Sequence, residues 1–326
     1  MFRYALAGPA AALALALAAT TAAAPAGATH SDHHPRRGGD SLLSTFEDVT
    51  RNTAWTKTAT IDLPFDANHP QAMEVTRNRM FISSVQIDEA PVKFPAPVDG
   101  MDRTPGRGVG HLYVTDRAGK LLKDIHPGEG DIYHPGGLDF DGRYIWLPVA
   151  EYRPDSKAII YRVDTRTWKV EEMFRVDDHI GGVVYDSKRK RVVGQSWGSR
   201  RFYEWTVDGH QKRKSMNPSH FVDYQDCEYV KPSSMLCTGI TNLPAAPGST
   251  KPYELGGAAT FDLRTGRLLH ETAIQLWSTA GHVVTRNPVD IDADGRHLTM
   301  YAAPDDGNEG NGTEVLVYEA DVAPVK

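Results

Sequence analysis

Short runs of alternating apolar and polar residues, separated by Gly, Asp and Asn, fill the chain from residue 55 onward. Alternation with a period of two is typical of half-buried β-strands, and no long stretch keeps the helical period of about 3.6 residues. The stretch His134 to Ala150 (HPGGLDFDGRYIWLPVA) contains a histidine, a small-residue step, an alternating run, an Asp-Gly turn and a second alternating run. This order predicts a β-hairpin that begins at a histidine.

The hairpin recurs with the same order of parts. Its five copies are Gln71 to Val85, Gly136 to Val149, Gly181 to Trp197, Gln225 to Ile240 and Pro288 to Ala303. A second hairpin follows each of the first four copies, but only one strand, EVLVYEADV, follows the last. The missing strand can be supplied by Thr58 to Pro64, ahead of the first copy. We therefore predict an all-β fold, a five-bladed β-propeller of four-stranded blades over residues 55–326. A β-sandwich explains neither the ordered copies nor the single last strand.

The first 54 residues lack this alternation. Arg3 precedes a long Ala/Leu run that ends in the small residues Ala26-Gly27-Ala28, a pattern that predicts a secretory signal peptide over residues 1–28. A retained membrane helix fits less well, because the apolar run is rich in Ala and interrupted by Gly8-Pro9. Residues 29–54 are polar and rich in turn-forming residues, which predicts a flexible arm. We expect the mature protein to be secreted and not inserted in a membrane.

The net charge bears on the binding partner, and the two cysteines bear on disulfide formation. The formal net charge of −6 argues against a nucleic-acid partner, which needs clustered Lys and Arg. Cys227 and Cys237 are the only cysteines, and they are equidistant from Pro232 in the predicted turn of one hairpin. Directly opposed residues come within about 4.5–5.5 Å at Cα, so a disulfide is predicted. The alternative is two small buried residues that happen to align.

The long connections all fall on one face of the predicted propeller. Turns between first and second strands are short, whereas Val85 to Gly110 and Thr241 to Gly256 are long insertions. Loops that lengthen on one face of a rigid scaffold commonly build a binding site. A histidine lies near the start of each inner strand on this face, and inner strands converge on the propeller axis. These five histidines are His69, His134, His179, His220 and His282.

Imidazoles beside carboxylates suit a divalent metal ion or a general acid–base pair. The five histidines are therefore candidate metal ligands, and Asp226, Glu151 and His134 are candidate catalytic groups. Candidate ligand contacts are Asp131, Tyr152, Asp178, Trp197 and Asp290. The alternative is that each histidine only lines a narrow polar channel and bonds to a neighbouring blade. The loop Pro304 to Thr313 could hold Ca²⁺ through Asp305, Asp306 and Glu309, although its composition also fits a flexible hydrophilic loop.

With the hairpins laid out, the segment His134 to Asp164 resembles an uncharacterised family of exported propeller-like proteins from bacteria and fungi. The resemblance covers nearly all of the mature chain and implies the fold and export, without an activity.

Two functional hypotheses follow. The first is a metal-assisted hydrolase or lyase that acts on a small molecule or saccharide. A glycosidase variant would need two carboxylates roughly 5–10 Å apart, drawn from Asp131, Asp178, Asp226 and Glu151. The second is a non-catalytic module that binds a carbohydrate, peptide or partner protein on the long-loop face. Under either hypothesis we expect a monomer.

Overall fold

The computed structural model describes residues 41–325 and confirms the predicted five-bladed β-propeller. The predicted signal peptide, residues 1–28, and residues 29–40 of the predicted arm lie outside the described residues. Within residues 41–325, no helix is long and apolar enough to cross a membrane.

Each blade is an antiparallel sheet whose first strand lies innermost. Blade one contains β2 (His69–Val75), β3 (Arg79–Glu89), β6 (Arg107–Asp116) and β7 (Leu121–Ile125). Its long insertion forms a separate hairpin of β4 (Lys93–Val98) and β5 (Met101–Arg103). Blade two contains an inner strand in two pieces, β8 (Ile132–Pro135) and β9 (Asp139–Phe140), then β10 (Tyr144–Glu151), β11 (Ala158–Asp164) and β12 (Val170–Val176).

The remaining blades repeat this arrangement. Blade three contains β13 (Ile180–Asp186), β14 (Arg191–Ser196), the short 3₁₀ helix Trp197–Ser199, β15 (Arg201–Thr206) and β16 (Gln211–Met216). Blade four contains β17 (Asp223–Val230), β18 (Ser234–Leu243), β19 (Tyr253–Asp262) and β20 (Leu268–Ala273). Blade five contains β21 (Val289–Asp294), β22 (His297–Ala302), β23 (Glu314–Asp321) and β1 (Thr56–Asp62). The pairing of β1 with β23 confirms that the strand before the first repeat closes the last blade.

The described part of the predicted arm is packed rather than flexible. Leu42–Phe46 forms helix α1, and Leu42, Phe46 and Val49 are buried against the core of blade five. Burying each such side chain contributes about 1.5–3 kcal/mol, which outweighs the polar, turn-rich character of the segment. The Val49 carbonyl oxygen also lies 2.7 Å from His270 Nε2. The pattern of alternating residues does not predict this packing, because the apolar residues of the segment are few and belong to a short helix.

Two Gly-Gly steps allow the inner strands of blades two and three to touch through their backbones. The Gly137 N–H donates to the Gly181 carbonyl at 2.8 Å, and the Val183 N–H donates to the Gly137 carbonyl at 3.0 Å. A Cβ atom placed on Gly136 would lie 2.2 Å from the Gly181 carbonyl oxygen. The small residues that follow His134 in the sequence are therefore required by this close approach.

Buried carboxylates link inner strands across the axis. Asp226, on blade four, accepts hydrogen bonds at Oδ2 from the Met73 N–H of blade one at 3.0 Å and the Val289 N–H of blade five at 3.3 Å. Burial raises the pKa of the Asp226 carboxyl well above its ordinary value. Asp290, buried on β21, raises it further. The geometry therefore gives Asp226 a structural role, and its catalytic role stays a prediction.

Asp139 makes the equivalent link from blade two. Its Oδ2 accepts from the Tyr185 N–H of blade three at 2.8 Å, and its Oδ1 accepts from the Tyr229 N–H of blade four at 2.9 Å. Such N–H groups are costly to bury without an acceptor. Two carboxylates thus connect all five blades.

The predicted disulfide between Cys227 and Cys237 is present. The two residues are directly paired across β17 and β18. The bond therefore fixes the register of the hairpin that carries Asp226.

Replacing Asp226 tests the link between blades. Asp226→Ala is expected to lower the free energy of unfolding by about 2–6 kcal/mol, because each of two buried donors left without an acceptor costs roughly 1–3 kcal/mol. Asp226→Asn keeps an oxygen acceptor, so its free energy of unfolding should fall much less. Denaturant unfolding measures both, with exposed Asp294→Ala as the control. Equal losses in the Ala and Asn variants would contradict the assignment.

Candidate functional site

His134, on β8, is buried on the face that carries the long connections. Its ring stacks on Tyr152 with 4.2 Å between centroids, and the His179 ring centroid is 6.1 Å away. Neither ring nitrogen of His134 has a hydrogen-bond partner. Burial, followed by the neighbouring His179 and His69, lowers the pKa of His134 well below its ordinary value. A neutral, unpartnered imidazole is unusual, since buried polar groups are nearly always hydrogen-bonded to protein, water or an ion.

His179 immediately precedes β13 and is held in a fixed tautomer. Its Nδ1 lies 2.8 Å from the Glu151 carbonyl oxygen, so Nδ1 carries the proton and donates it. The ring meets Trp197 edge-on with 4.8 Å between centroids. Burial lowers the pKa of His179 to about 4. This imidazole is therefore neutral at pH 7.

The blade-one insertion reaches this group of side chains. The Arg103 guanidinium, on β5, lies 5.2 Å from the centre of the Trp197 ring. Trp197 in turn lies 5.8 Å from Tyr152, measured between ring centroids. Arg153 Nη1 donates to the Arg103 carbonyl at 3.4 Å and so ties the hairpin to blade two. Burial raises the pKa of the Tyr152 hydroxyl, which keeps it protonated.

We name these side chains the funnel cluster. Its members are His69, Arg103, His134, Tyr152, His179 and Trp197.

The acidic loop after β22 connects to the funnel cluster through His69. His69 Nδ1 lies 2.7 Å from Asp306 Oδ1. Arg286 contacts Asp306 at 3.6 Å and donates to Glu309 at 3.0 Å. The charges of Asp306 and Arg286 both affect the pKa of Tyr152. The loop and the funnel cluster therefore form one electrostatic unit.

A group of side chains that could bind a metal ion joins this loop, which carries Asp305 and Glu309, to His282 in the connection before β21. His282 has Nδ1 at 2.9 Å from Glu254 Oε1 and Nε2 at 3.3 Å from Glu309 Oε2. Asp305 Oδ1 accepts a hydrogen bond from the Ser278 hydroxyl at 2.5 Å. One donor atom from each of His282, Asp305 and Glu309 lies within 4.8 Å of the other two. Among residues 41–325, a second group with this property is His111, Asp124 and His126.

Other predicted site residues have different surroundings. His220 is exposed, with Nδ1 at 2.8 Å from Arg200 Nη1, and it does not take part in the contacts of the funnel cluster. Asp131 is exposed. The sequence places His220 near an inner strand, like the other histidines. Because His220 lies in a longer loop, the direction of its side chain depends on how that loop packs.

Three of the four carboxylates proposed for a glycosidase pair are already engaged, and the fourth, Asp131, is exposed. Asp178 Oδ2 accepts from Arg201 at 3.0 Å and from the Tyr203 hydroxyl at 2.5 Å. Glu151 forms an ion pair with Arg153, with 2.5 Å between Oε2 and Nη2. Asp226 is tied to backbone N–H groups. The structure therefore does not favour the glycosidase variant.

Sequence reasoning missed the two arginines of the site, Arg103 and Arg286. Both belong to long connections of irregular sequence, and neither is part of a repeated motif. The one available signal was their location in the insertions on the long-loop face.

A comparison with known protein families identifies one that matches the chain. A family model described as a family of unknown function (DUF6454) matches residues 38–324. No curated protein matches the chain.

Three of the solved structures that are similar to the chain illustrate the range of matches. One is from a nidogen/laminin complex, with a TM-score of 0.36, 10% identity, and coverage of 60% of this chain and 59% of that one. A luciferin-regenerating enzyme has a TM-score of 0.44, 12% identity, and coverage of 84% and 99%. The tail fibre of Staphylococcus aureus phage P68 has a TM-score of 0.45, 9% identity, and coverage of 86% and 56%. The chain thus spans less than two thirds of the first and third of these chains.

The pKa of His179 predicts a pH dependence of stability. The unfolded imidazole binds a proton near pH 6.5, whereas the folded one binds it only near pH 4. The unfolded state therefore holds more protons between these values, and stability falls as the pH falls through this window. The shift corresponds to about 3 kcal/mol. His179→Gln should remove this component from unfolding free energies measured between pH 7 and pH 4.

Exposed His210 offers the matched control, and His210→Gln should keep the wild-type pH dependence. If the free energy of unfolding of His179→Gln depended on pH as strongly as that of the wild type, the prediction would be wrong. His179 would then be protonated in the folded state, or another group would control acid unfolding.

Proposed function

The chain belongs to the family of unknown function DUF6454, and we propose that its funnel cluster is the active site of a metal-assisted hydrolase or lyase. The substrate class is a small polar molecule or saccharide. The observation that carries the proposal is His134, which is buried, neutral and without a partner at either ring nitrogen. A bound ligand, water or ion that pairs with this ring would remove a penalty of roughly 1–3 kcal/mol for each unpaired nitrogen.

The aromatic side chains support recognition of a small ring-shaped ligand. Tyr152 and Trp197 combine large apolar faces with a polar group, and Arg103 lies over Trp197. The Tyr152 hydroxyl stays protonated and can donate a hydrogen bond to a ligand oxygen. Small-molecule sites are typically built in this way, from aromatic walls with a few polar groups.

His134 and His179 support acid–base chemistry. Both imidazoles are neutral at pH 7, so each carries a nitrogen lone pair that can accept a hydrogen bond from a substrate hydroxyl or from water. Positioned imidazoles contribute roughly 10²–10⁴-fold to proton-transfer steps. In this proposal His134 contacts the substrate, whereas His179, held by the Glu151 carbonyl, keeps the tautomer that leaves Nε2 as an acceptor.

His282, Asp305 and Glu309 would hold the metal ion. One imidazole and two carboxylates suit a divalent ion such as Zn²⁺ or Mn²⁺. Glu254 contacts Nδ1 of His282, as carboxylates commonly do behind a metal-bound histidine. When bound, the ion would polarise an oxygen atom or lower the pKa of a water molecule.

A non-catalytic binding module is the second candidate. Tyr253, at the start of β19, and Trp277, in the connection from blade four to blade five, are 45% and 41% exposed with 5.9 Å between ring centroids. Exposed aromatic pairs of this kind favour binding of a carbohydrate or a partner protein. Binding without turnover would support this candidate.

Secretion remains part of the proposal. The predicted signal peptide supports it, and so does the disulfide, because such bonds persist mainly in oxidising compartments.

The test is a panel of ester, phosphate and glycoside substrates, assayed with and without added Zn²⁺ or Mn²⁺. We expect turnover that requires the metal ion. His134→Gln should lower kcat/KM by roughly 10²–10⁴-fold. His282→Gln should weaken metal binding, and His210→Gln should change neither property. Full activity in His134→Gln, or activity that survives exhaustive metal removal, would contradict the proposal.

A further inference from the structure

Blade one carries a second set of metal-ligating side chains outside the funnel cluster. The sequence places His111 and Tyr113 two apart on β6, and Asp124 and His126 two apart at the end of β7. Leu112 pairs with Ile125, and Tyr113 pairs with Asp124. Because alternate residues share a face, this register directs His111, Asp124 and His126 to the same side of the blade.

The three side chains already stand at distances close to those of a metal site. His111 Nδ1 lies 3.0 Å from Asp124 Oδ1, and His126 Nε2 lies 3.5 Å from Asp124 Oδ2. All three donor atoms lie within 4.8 Å of one another. Around a tetrahedral zinc ion with bonds of about 2.0–2.1 Å, neighbouring donors are ~3.3 Å apart. Small side-chain movements would therefore complete the geometry.

His111 is fixed in place before any ligand binds. It is 6% exposed, and its ring stacks on Tyr113 with 4.9 Å between centroids. The Tyr113 hydroxyl accepts a hydrogen bond from the Asn68 side-chain amide at 2.6 Å. His111 Nε2 is buried without a partner, so Asp124 is the hydrogen-bonding contact of this imidazole. The ring thus presents Nδ1 to the position that an ion would occupy.

The outer side of the group faces solvent. The Asp124 and His126 side chains are 29% and 54% exposed, so an ion can enter and a water molecule can complete its coordination. We infer that His111, Asp124 and His126 bind a divalent transition-metal ion of the zinc class. Two imidazole nitrogens and one carboxylate suit Zn²⁺, Co²⁺ or Ni²⁺, whereas Ca²⁺ and Mg²⁺ prefer oxygen donors.

The ion would cross-link β7 to β6. β7 has five residues and is the outermost strand of blade one, hydrogen-bonded to β6 on one side only. Short edge strands open more easily than central ones. A bound ion is therefore expected to stabilise the outer edge of this blade. The inference does not depend on the proposed function, because none of its ligands belongs to the funnel cluster or to the His282 group.

The test uses tag-free full-length protein, stripped of metal with a chelator and titrated with Zn²⁺. His282→Gln serves as the background, so that zinc binding by the group of His282, Asp305 and Glu309 does not interfere. Calorimetry and elemental analysis give the stoichiometry, and thermal unfolding gives the Tm. Adding His126→Gln should remove one zinc equivalent and abolish the zinc-dependent rise in Tm of several degrees. His126 is exposed, so this variant is expected to fold.

Asp124→Asn in the same background should weaken zinc binding by at least tenfold, and His210→Gln should change nothing. Ca²⁺ and Mg²⁺ should leave the Tm unchanged. An unchanged zinc stoichiometry after adding His126→Gln would overturn the inference, and so would a background protein that binds no zinc. If His282→Gln leaves the zinc stoichiometry unchanged while His126→Gln lowers it, the metal site of the proposed function is wrong. The inference about His111, Asp124 and His126 then stands.

Discussion

The inner strands of the five blades leave backbone N–H groups directed at a crowded, buried axis, and each of these donors needs an acceptor. Asp226 satisfies donors from blades one and five, and Asp139 satisfies donors from blades three and four. Blades two and three also bond directly through Gly137. Because carboxylates at the axis are committed to the backbone, acidic residues near the centre of the propeller do not by themselves indicate catalysis.

The arrangement of the inner strands around the axis determines which side chains meet on the face with the long connections. Inner strands that converge on one axis bring His134, on blade two, to His179, at the start of blade three, with 6.1 Å between ring centroids. Burial at this position keeps both imidazoles neutral. His179 is satisfied by the Glu151 carbonyl, whereas His134 has no protein partner. The difference between these two rings is the main reason to place ligand chemistry at this face.

The long connections complete the site with charge. Arg103 reaches Trp197 from the blade-one insertion, and Arg286 joins Asp306 to Glu309 beside His69. Opposite charges in contact hold these loops in defined positions, and their field reaches Tyr152. The second group of possible metal ligands, His111, Asp124 and His126 of blade one, is not formed by long connections. Its side chains come from the paired strands β6 and β7 and the residue that follows β7. Within residues 41–325, ordinary strand pairing therefore produces one potential metal site, and irregular loops produce another.

The sequence by itself determined the number of blades, the closing strand, the disulfide and the position of His69, His134 and His179 at the starts of inner strands. Each of these follows from local alternation, turn residues and spacing, which act between neighbours in the chain. Only the tertiary structure decided that Asp226 faces backbone donors, that His220 turns outward to Arg200, and that Leu42, Phe46 and Val49 pack on blade five. These outcomes depend on contacts between residues far apart in sequence, where burial and hydrogen-bond satisfaction, rather than local pattern, set the direction of each side chain.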